Sequence, residues 1–330
     1  MTPIEKSYRD TVNRLAIALL FFEGLFLVVG GVTGFLSLFT VSMNAVAADV
    51  FTQLASGVMY CAVFLLPVLL FRLVSLGKPT VPMQTELRLS GDTLLYLFSG
   101  IAVITGAAYL NGYLVSIFDY GTFSEEVLWT QTTSANYQLI LAFLTTAVIP
   151  AFVEEFLFRG LILSHLRPFG TTTAVVASAL LFGMMHQNVE QLLYTTVAGL
   201  VLGYVYVKTE SLWPCILMHF VNNFISVLRT ALIERLSVES ANLAIGVIQA
   251  TFCVLGIVSA VVLMRRQRDG RRAALAMGCF EHELPPHPDY VGEAIPLRRR
   301  VRLFFSAPMI VFFALCAVQM LLTLGLALLY

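Results

Sequence analysis

The sequence is short of charge. Of its 330 residues only 12% are Asp, Glu, Lys or Arg, against 58% that are hydrophobic, where a soluble domain carries about 25% charged residues. So few charges cannot coat a globule of this size, which excludes an ordinary soluble enzyme and a disordered tail. The 20 Lys and Arg are balanced by 20 Asp and Glu. That leaves no basic surplus for a nucleic-acid surface, and no nucleic-acid partner is expected. N-x-S/T sequons are absent, which weighs against a glycosylated ectodomain. A cleavable leader is not evident either, because the first apolar run is too long for one and has no cleavage pattern. Cysteines number five, four in apolar runs and Cys279 in a basic loop, so no disulfide is expected. Alternating ten-residue segments of the barrel type are missing as well.

What is present is long apolar runs. A helix crossing the bilayer core needs about 20 mostly apolar residues. Nine such stretches are read at 15–39, 50–72, 93–117, 138–166, 172–188, 190–207, 213–232, 243–264 and 303–329. The fold expected is therefore all-α, a polytopic transmembrane helix bundle of eight to nine spans, because a helix satisfies its own backbone in lipid. Of the 20 Lys and Arg, 17 fall on one side if the spans alternate, two on the other and one inside a span. By the positive-inside rule the amino terminus is then cytoplasmic. We expect three regions: 1–136, with three spans and an external loop that carries a short interfacial helix around Trp129; 137–232, the catalytic core of spans four to seven; and 233–330, with a basic cytoplasmic loop at 265–302. The arginines of that loop are expected to meet anionic lipid headgroups. Cys279, His282 and His287 in it match no standard zinc spacing, and no metal or cofactor is expected.

Ionisable residues inside a span cost at least about 2.5–3.5 kcal/mol each at a helix centre, so they mark where function is sought. Span four contains Glu154, Glu155 and Arg159 within six residues. Glu155 and Arg159 are i,i+4, share a face and can pair. A structural ion pair thus explains those two and leaves Glu154 without a partner, which is a poor structural device. His186 follows in span five, and His219 and Asn223 share a face of span seven. Glu154 and His186 both lie about 20 Å from the Arg167–Gly170 turn at 1.5 Å per residue, so they are level. The overlong span four puts that level within reach of cytoplasmic water. His219 lies only about 10 Å into its helix, so it joins the others only if the turn before it is recessed or the helix tilts. Elsewhere, Gly199 with Gly203 and Gly30 with Gly34 read as close helix packing. Glu23 reads as snorkelling or paired near Arg14, and His165 as a wetted residue at a helix end.

These residues resemble the CAAX protease and bacteriocin-processing family of intramembrane endopeptidases, including the type II CAAX prenyl endopeptidases, over about residues 137–230. The family's EExxxR, FxxxH and HxxxN motifs are matched by Glu154-Glu155…Arg159, Phe182…His186 and His219…Asn223. Ser211-Leu212-Trp213-Pro214 ahead of the third motif is similar too. The resemblance implies a metal-independent glutamate peptidase acting on hydrophobic or lipidated membrane peptides. Glu154 would activate water, His186 would help hold that water or Glu154, and His219 and Asn223 would form the oxyanion site. Glu155 and Arg159 would support them. The residue types suit that chemistry, because peptide hydrolysis needs a base, a water and donors aimed at the developing oxyanion. No serine or cysteine stands in the motifs as a nucleophile. Two other readings stand beside it: a zinc peptidase using a glutamate and two histidines, and a non-catalytic immunity, scaffold or transport protein. A multi-pass protein of a bacterial plasma membrane is expected.

Overall fold

The computed structural model describes residues 1–88, 90–118, 136–276 and 295–327. The segment around Trp129, and Cys279, His282 and His287, lie outside the described residues. The described chain is helical and has no strand. Ten helices follow one another: α1 Pro3–Thr40, α2 Ala45–Val74, α3 Gly91–Phe118, α4 Asn136–Phe169, α5 Thr171–Met184, α6 Val189–Thr209, α7 Trp213–Ile233, α8 Val238–Ala276, α9 Leu297–Phe304 and α10 Ala307–Ala327. Eight of them are long and apolar enough to cross a membrane.

The exception among the nine expected spans is the fifth. α5 has 14 residues, about 21 Å of helix against a core of about 30 Å. The sequence ends it by supplying the next helix's cap. Gln187 takes a left-handed φ of 52°, and the Asn188 side chain accepts from the Glu190 amide at 2.8 Å. Residues 185–188 therefore form a turn rather than the end of a span.

The charges sort by end, as alternating spans require. At one end Lys78 pairs with Asp10 (3.0 Å), Arg88 and Arg167 meet Glu210 (3.2 and 3.3 Å), Arg299 meets Glu5 (2.9 Å), and Arg266 meets Asp92. Contacts at the opposite end are mostly uncharged or acidic: Gln138 with Asp49 (3.1 Å) and Asn111 with the Glu190 carbonyl (2.8 Å). Exposed pairs of this kind add little stability, but they fix which helix ends lie together. We refer to these as the basic and the acid-flanked ends.

Two hydrophobic clusters meet at α4. One gathers Leu15, Leu19, Phe22, Phe71, Leu157, Phe158, Leu181 and Phe312 from α1, α2, α4, α5 and α10. The other gathers Ile101, Ala151, Leu163, Leu202, Ile216 and Met218 from α3, α4, α6 and α7. Helix α4 is the shared wall, so groups on it can face either half. The α5–α6 hairpin closes tightly because Gly199 and Gly203 carry no Cβ. One built at Gly199 would lie 2.9 Å from the Ala179 Cα, and one at Gly203 would lie 3.2 Å from Val175. Gly30 and Gly34 are different. Among the described residues a Cβ at either meets nothing within 4 Å, unlike those at Gly199 and Gly203.

Candidate active site

Helix α4 is irregular where its polar residues lie. Two π-helical stretches, Phe143–Val148 and Phe156–Leu163, flank the α-helical turn Ile149–Glu155. Such stretches admit an extra residue and recur at functional sites. Pro150 explains part of this. It has no N–H to give to the carbonyl four residues back, that of Thr146. That carbonyl instead accepts from Asn223 Nδ2 on α7 at 3.1 Å. The proline thus opens a backbone acceptor, and a motif residue from another helix takes it.

One turn further on, the two glutamates diverge. Glu155 and Arg159 are both fully buried and pair at 2.8 Å. The guanidinium also donates to the Gly199 carbonyl (3.2 Å) and lies over the Phe182 ring, 4.6 Å from its centroid. Glu155 Oε1 is also 2.9 Å from His219 Nδ1. A carboxylate oxygen can only accept, so that nitrogen carries the proton. Glu154 turns elsewhere. Its Oε1 accepts from the Tyr60 hydroxyl of α2. Its Oε2 has no hydrogen-bond partner among the described residues and faces His219 Nε2 at 3.9 Å. That separation is too long for a direct bond and short enough for one water to bridge.

His219 thus meets the carboxylates, and the depth mismatch noted in the sequence resolves through a recessed turn. Trp213, the first residue of α7, stacks edge-on with Phe152 at 5.9 Å. The turn is held there by the 75–90 loop: Leu212 N donates to the Gln84 carbonyl (2.9 Å), Ser211 to that of Glu86 (2.7 Å) and Trp213 Nε1 to that of Thr85 (3.0 Å). His165 takes part in the same device. It is buried rather than wetted. Its Nδ1 bonds the Leu161 carbonyl (2.8 Å) and its Nε2 accepts from Val81 N (3.2 Å).

His186 approaches through an intermediary. Its Nδ1 donates to the Phe182 carbonyl at 2.8 Å, which leaves the lone pair on Nε2. The Phe182 ring lies 4.9 Å from the His186 ring and 5.9 Å from that of His219. The phenylalanine of the FxxxH motif is therefore the plate on which both histidines and Arg159 rest. Asn223 reaches the Thr146 carbonyl and accepts from Asn222 at 3.1 Å, and Asn222 accepts from the Tyr194 hydroxyl at 2.5 Å.

Reading the motifs alone missed Tyr60, Tyr194, Gln187 and the role of Glu23. Glu23 does not pair with Arg14, which instead meets Asp10 (3.3 Å) and Ser75 (2.6 Å). It is 1% exposed and accepts from Gln187 Nε2 (2.9 Å) and from the Cys316 thiol (3.2 Å). The first and last spans thus hold the turn that carries His186. A sequence signal existed, since Glu23 is an acid inside a span, but nothing in the sequence names its partners. Among the described residues no three His, Cys, Asp or Glu side chains are arranged to hold a metal ion.

The geometry brings Glu154, Glu155 and Arg159 of α4 to His219 of α7, sets Asn223 of α7 on the Thr146 carbonyl, and links His186, in the turn after α5, through the Phe182 ring. Residues 136–225 match the family model described as Type II CAAX prenyl endopeptidase Rce1-like. The match begins with α4 and ends just past the HxxxN motif, so it contains all three motifs. No curated protein and no solved structure matches the chain. At the level of the family, this CAAX-type segment is that of a membrane endopeptidase, and the helices around it make the chain a multi-pass membrane protein. Three spans before it, and α8 and α10 after it, lie outside the CAAX-type match.

Proposed function

We propose that the protein is an intramembrane glutamate-dependent endopeptidase that hydrolyses hydrophobic, membrane-associated peptides without a metal. One observation carries the reading. Of two adjacent buried glutamates, the fully buried Glu155 gives its Oε1 to both Arg159 and His219, while Glu154 turns its Oε2 to His219 Nε2 across 3.9 Å. A water in that gap would give its proton to Glu154 as it attacks the peptide carbonyl. Tyr60 fixes the other oxygen of the base. Two glutamates and one arginine leave the buried set one negative charge in excess, and a proton on His219 would neutralise it. That proton makes Nε2 a donor to the developing oxyanion, together with an Asn223 Nδ2–H. His186 would steady the water from across Phe182. Glu155 and Arg159 support the site by holding His219 and the helix.

In this reading residues 137–232 are the catalytic core and the segments 1–136 and 233–330 frame it. The arginines of the 265–302 segment, with α9 among them, would lie on anionic headgroups of a bacterial plasma membrane. The test is cleavage of a membrane-anchored reporter peptide by purified protein in liposomes. Cleavage is expected in wild type, with or without a strong chelator, and is expected to be lost in Glu154→Gln. Full activity in Glu154→Gln overturns the base. Loss with chelator that zinc restores overturns the metal-free mechanism. If Glu154→Ala and His186→Ala both serve the cell as well as wild type, the role is not catalytic.

A further inference from the structure

The basic end of the site is closed. Between Glu155 and that end, Leu157, Phe158, Leu161, Ile162 and Leu163 are each no more than 1% exposed. Arg159 fills the axis of the bundle with a fully buried side chain. The 75–90 loop lies over this plug, pinned at Val81 by His165 and at Gln84 by the Tyr206 hydroxyl (3.2 and 3.3 Å). Its Met83 packs on Gly160, where an added Cβ would sit 3.0 Å from the sulfur. The sequence pointed to cytoplasmic water reaching Glu154 from this side. The plug and the loop stand in its way.

Exposure rises in the other direction. Arg159 and Glu155 are at 0%, Glu154 at 6% and His219 at 8% by side chain. Beyond them His186, Tyr194, Asn222 and Asn223 are half-buried and Thr146 is exposed. These residues form a polar trail from Glu154 toward the acid-flanked end. Two features of the backbone make room for it. α5 stops after about 21 Å, and the non-helical 185–188 turn takes the place of further helix on this side. α4 is bent into π turns above Pro150 on the same side.

We infer that the site is entered from the acid-flanked end, and that its substrates are membrane-anchored peptides whose scissile bond lies on the face away from the basic loops. The direction of entry stands on the geometry, whereas the word substrate rests on the peptidase reading above. By the charge distribution that face is the non-cytoplasmic one. A lipid-modified tail lying on the basic face would be separated from Glu154 by Arg159 and the 75–90 loop.

The first arm of the test measures entry without catalysis. Single cysteines are placed at Thr146 and Asn222, with Leu76→Cys in the basic loop as the marker of the other face and wild type as the blank. A charged, membrane-impermeant thiol reagent is then applied to either face of sealed proteoliposomes of known orientation. Thr146→Cys and Asn222→Cys are expected to react at least tenfold faster from the face opposite that which labels Leu76→Cys. Faster reaction from the Leu76 face, or no reaction from either, overturns the inference. The second arm offers single-span reporter peptides with the cleavable sequence near one interface or the other. Cleavage only near the acid-flanked interface, lost in Glu154→Gln, is expected. Cleavage only near the basic interface overturns the entry route and leaves the peptidase intact. No cleavage of either, with the thiols reacting as expected, overturns the peptidase and leaves the entry route standing.

Discussion

Glu154 and Glu155 are neighbours in sequence and opposites in circumstance. Glu155 belongs to a closed region beneath the 75–90 loop, where its Oε1 meets both Arg159 and His219 and the guanidinium reaches the Gly199 carbonyl, while Glu155 Oε2 has no hydrogen-bond partner among the described residues. Glu154 belongs to an open one, bonded on one oxygen by Tyr60 and unpartnered on the other among the described residues. The contrast teaches how a bundle keeps a carboxylate available inside a membrane. Buried charge is costly unless paired, so one glutamate is paired to hold the structure and the next is held by it.

Breaking each side separately should give different failures. The largest effect on turnover is expected from Glu154→Gln, a fall of about a thousandfold or more in kcat, with the melting temperature in detergent nearly unchanged. Arg159→Met should fail the other way. It leaves the buried Glu155 charge with His219 but without its arginine, at a cost of about 3–5 kcal/mol, read as a large drop in melting temperature and in yield. If the two variants exchanged these signatures, the division of labour would be wrong. Asn223→Ala should lower kcat about a hundredfold, as for a lost oxyanion donor, and should also loosen α4 at Thr146. Tyr60→Phe removes one hydrogen bond to a charged group and should lower kcat about tenfold with little change in KM. The smallest effect is expected from Glu23→Ala. A loss of about fivefold in kcat, near 1 kcal/mol, should be recovered in Glu23→Gln, which can still accept from Gln187. A merely structural role would lower the melting temperature without moving kcat in the folded fraction.

Much of this contrast was legible in the sequence because lipid makes charge rare. An i,i+4 pair beside a spare glutamate in an apolar run separates the arginine-paired carboxylate from its neighbour before any coordinates, although the same reading expected water from the basic side. The sequence could not show that α5 ends early, because the composition of 172–188 suits a span and only the capping by Asn188 cuts it short. Nor could it show the recessed turn before α7. That turn depends on backbone bonds to the 75–90 loop, more than 120 residues away in sequence. Tyr60 and Glu23 were hidden for the same reason. Hydropathy says that a residue is in a span but not which helix it turns toward.

Glu23 has a consequence for how the molecule is completed. Its carboxylate takes hydrogen bonds from residues 164 and 293 positions further along the chain. A chain halted before α10 would have the motif residues inserted and the first acceptor still half answered. The histidine turn would then hang from a carboxylate with one of its two tethers missing. The first span therefore acts as a check on the last, and the reacting groups come fully into register only when synthesis has reached the end of the described chain.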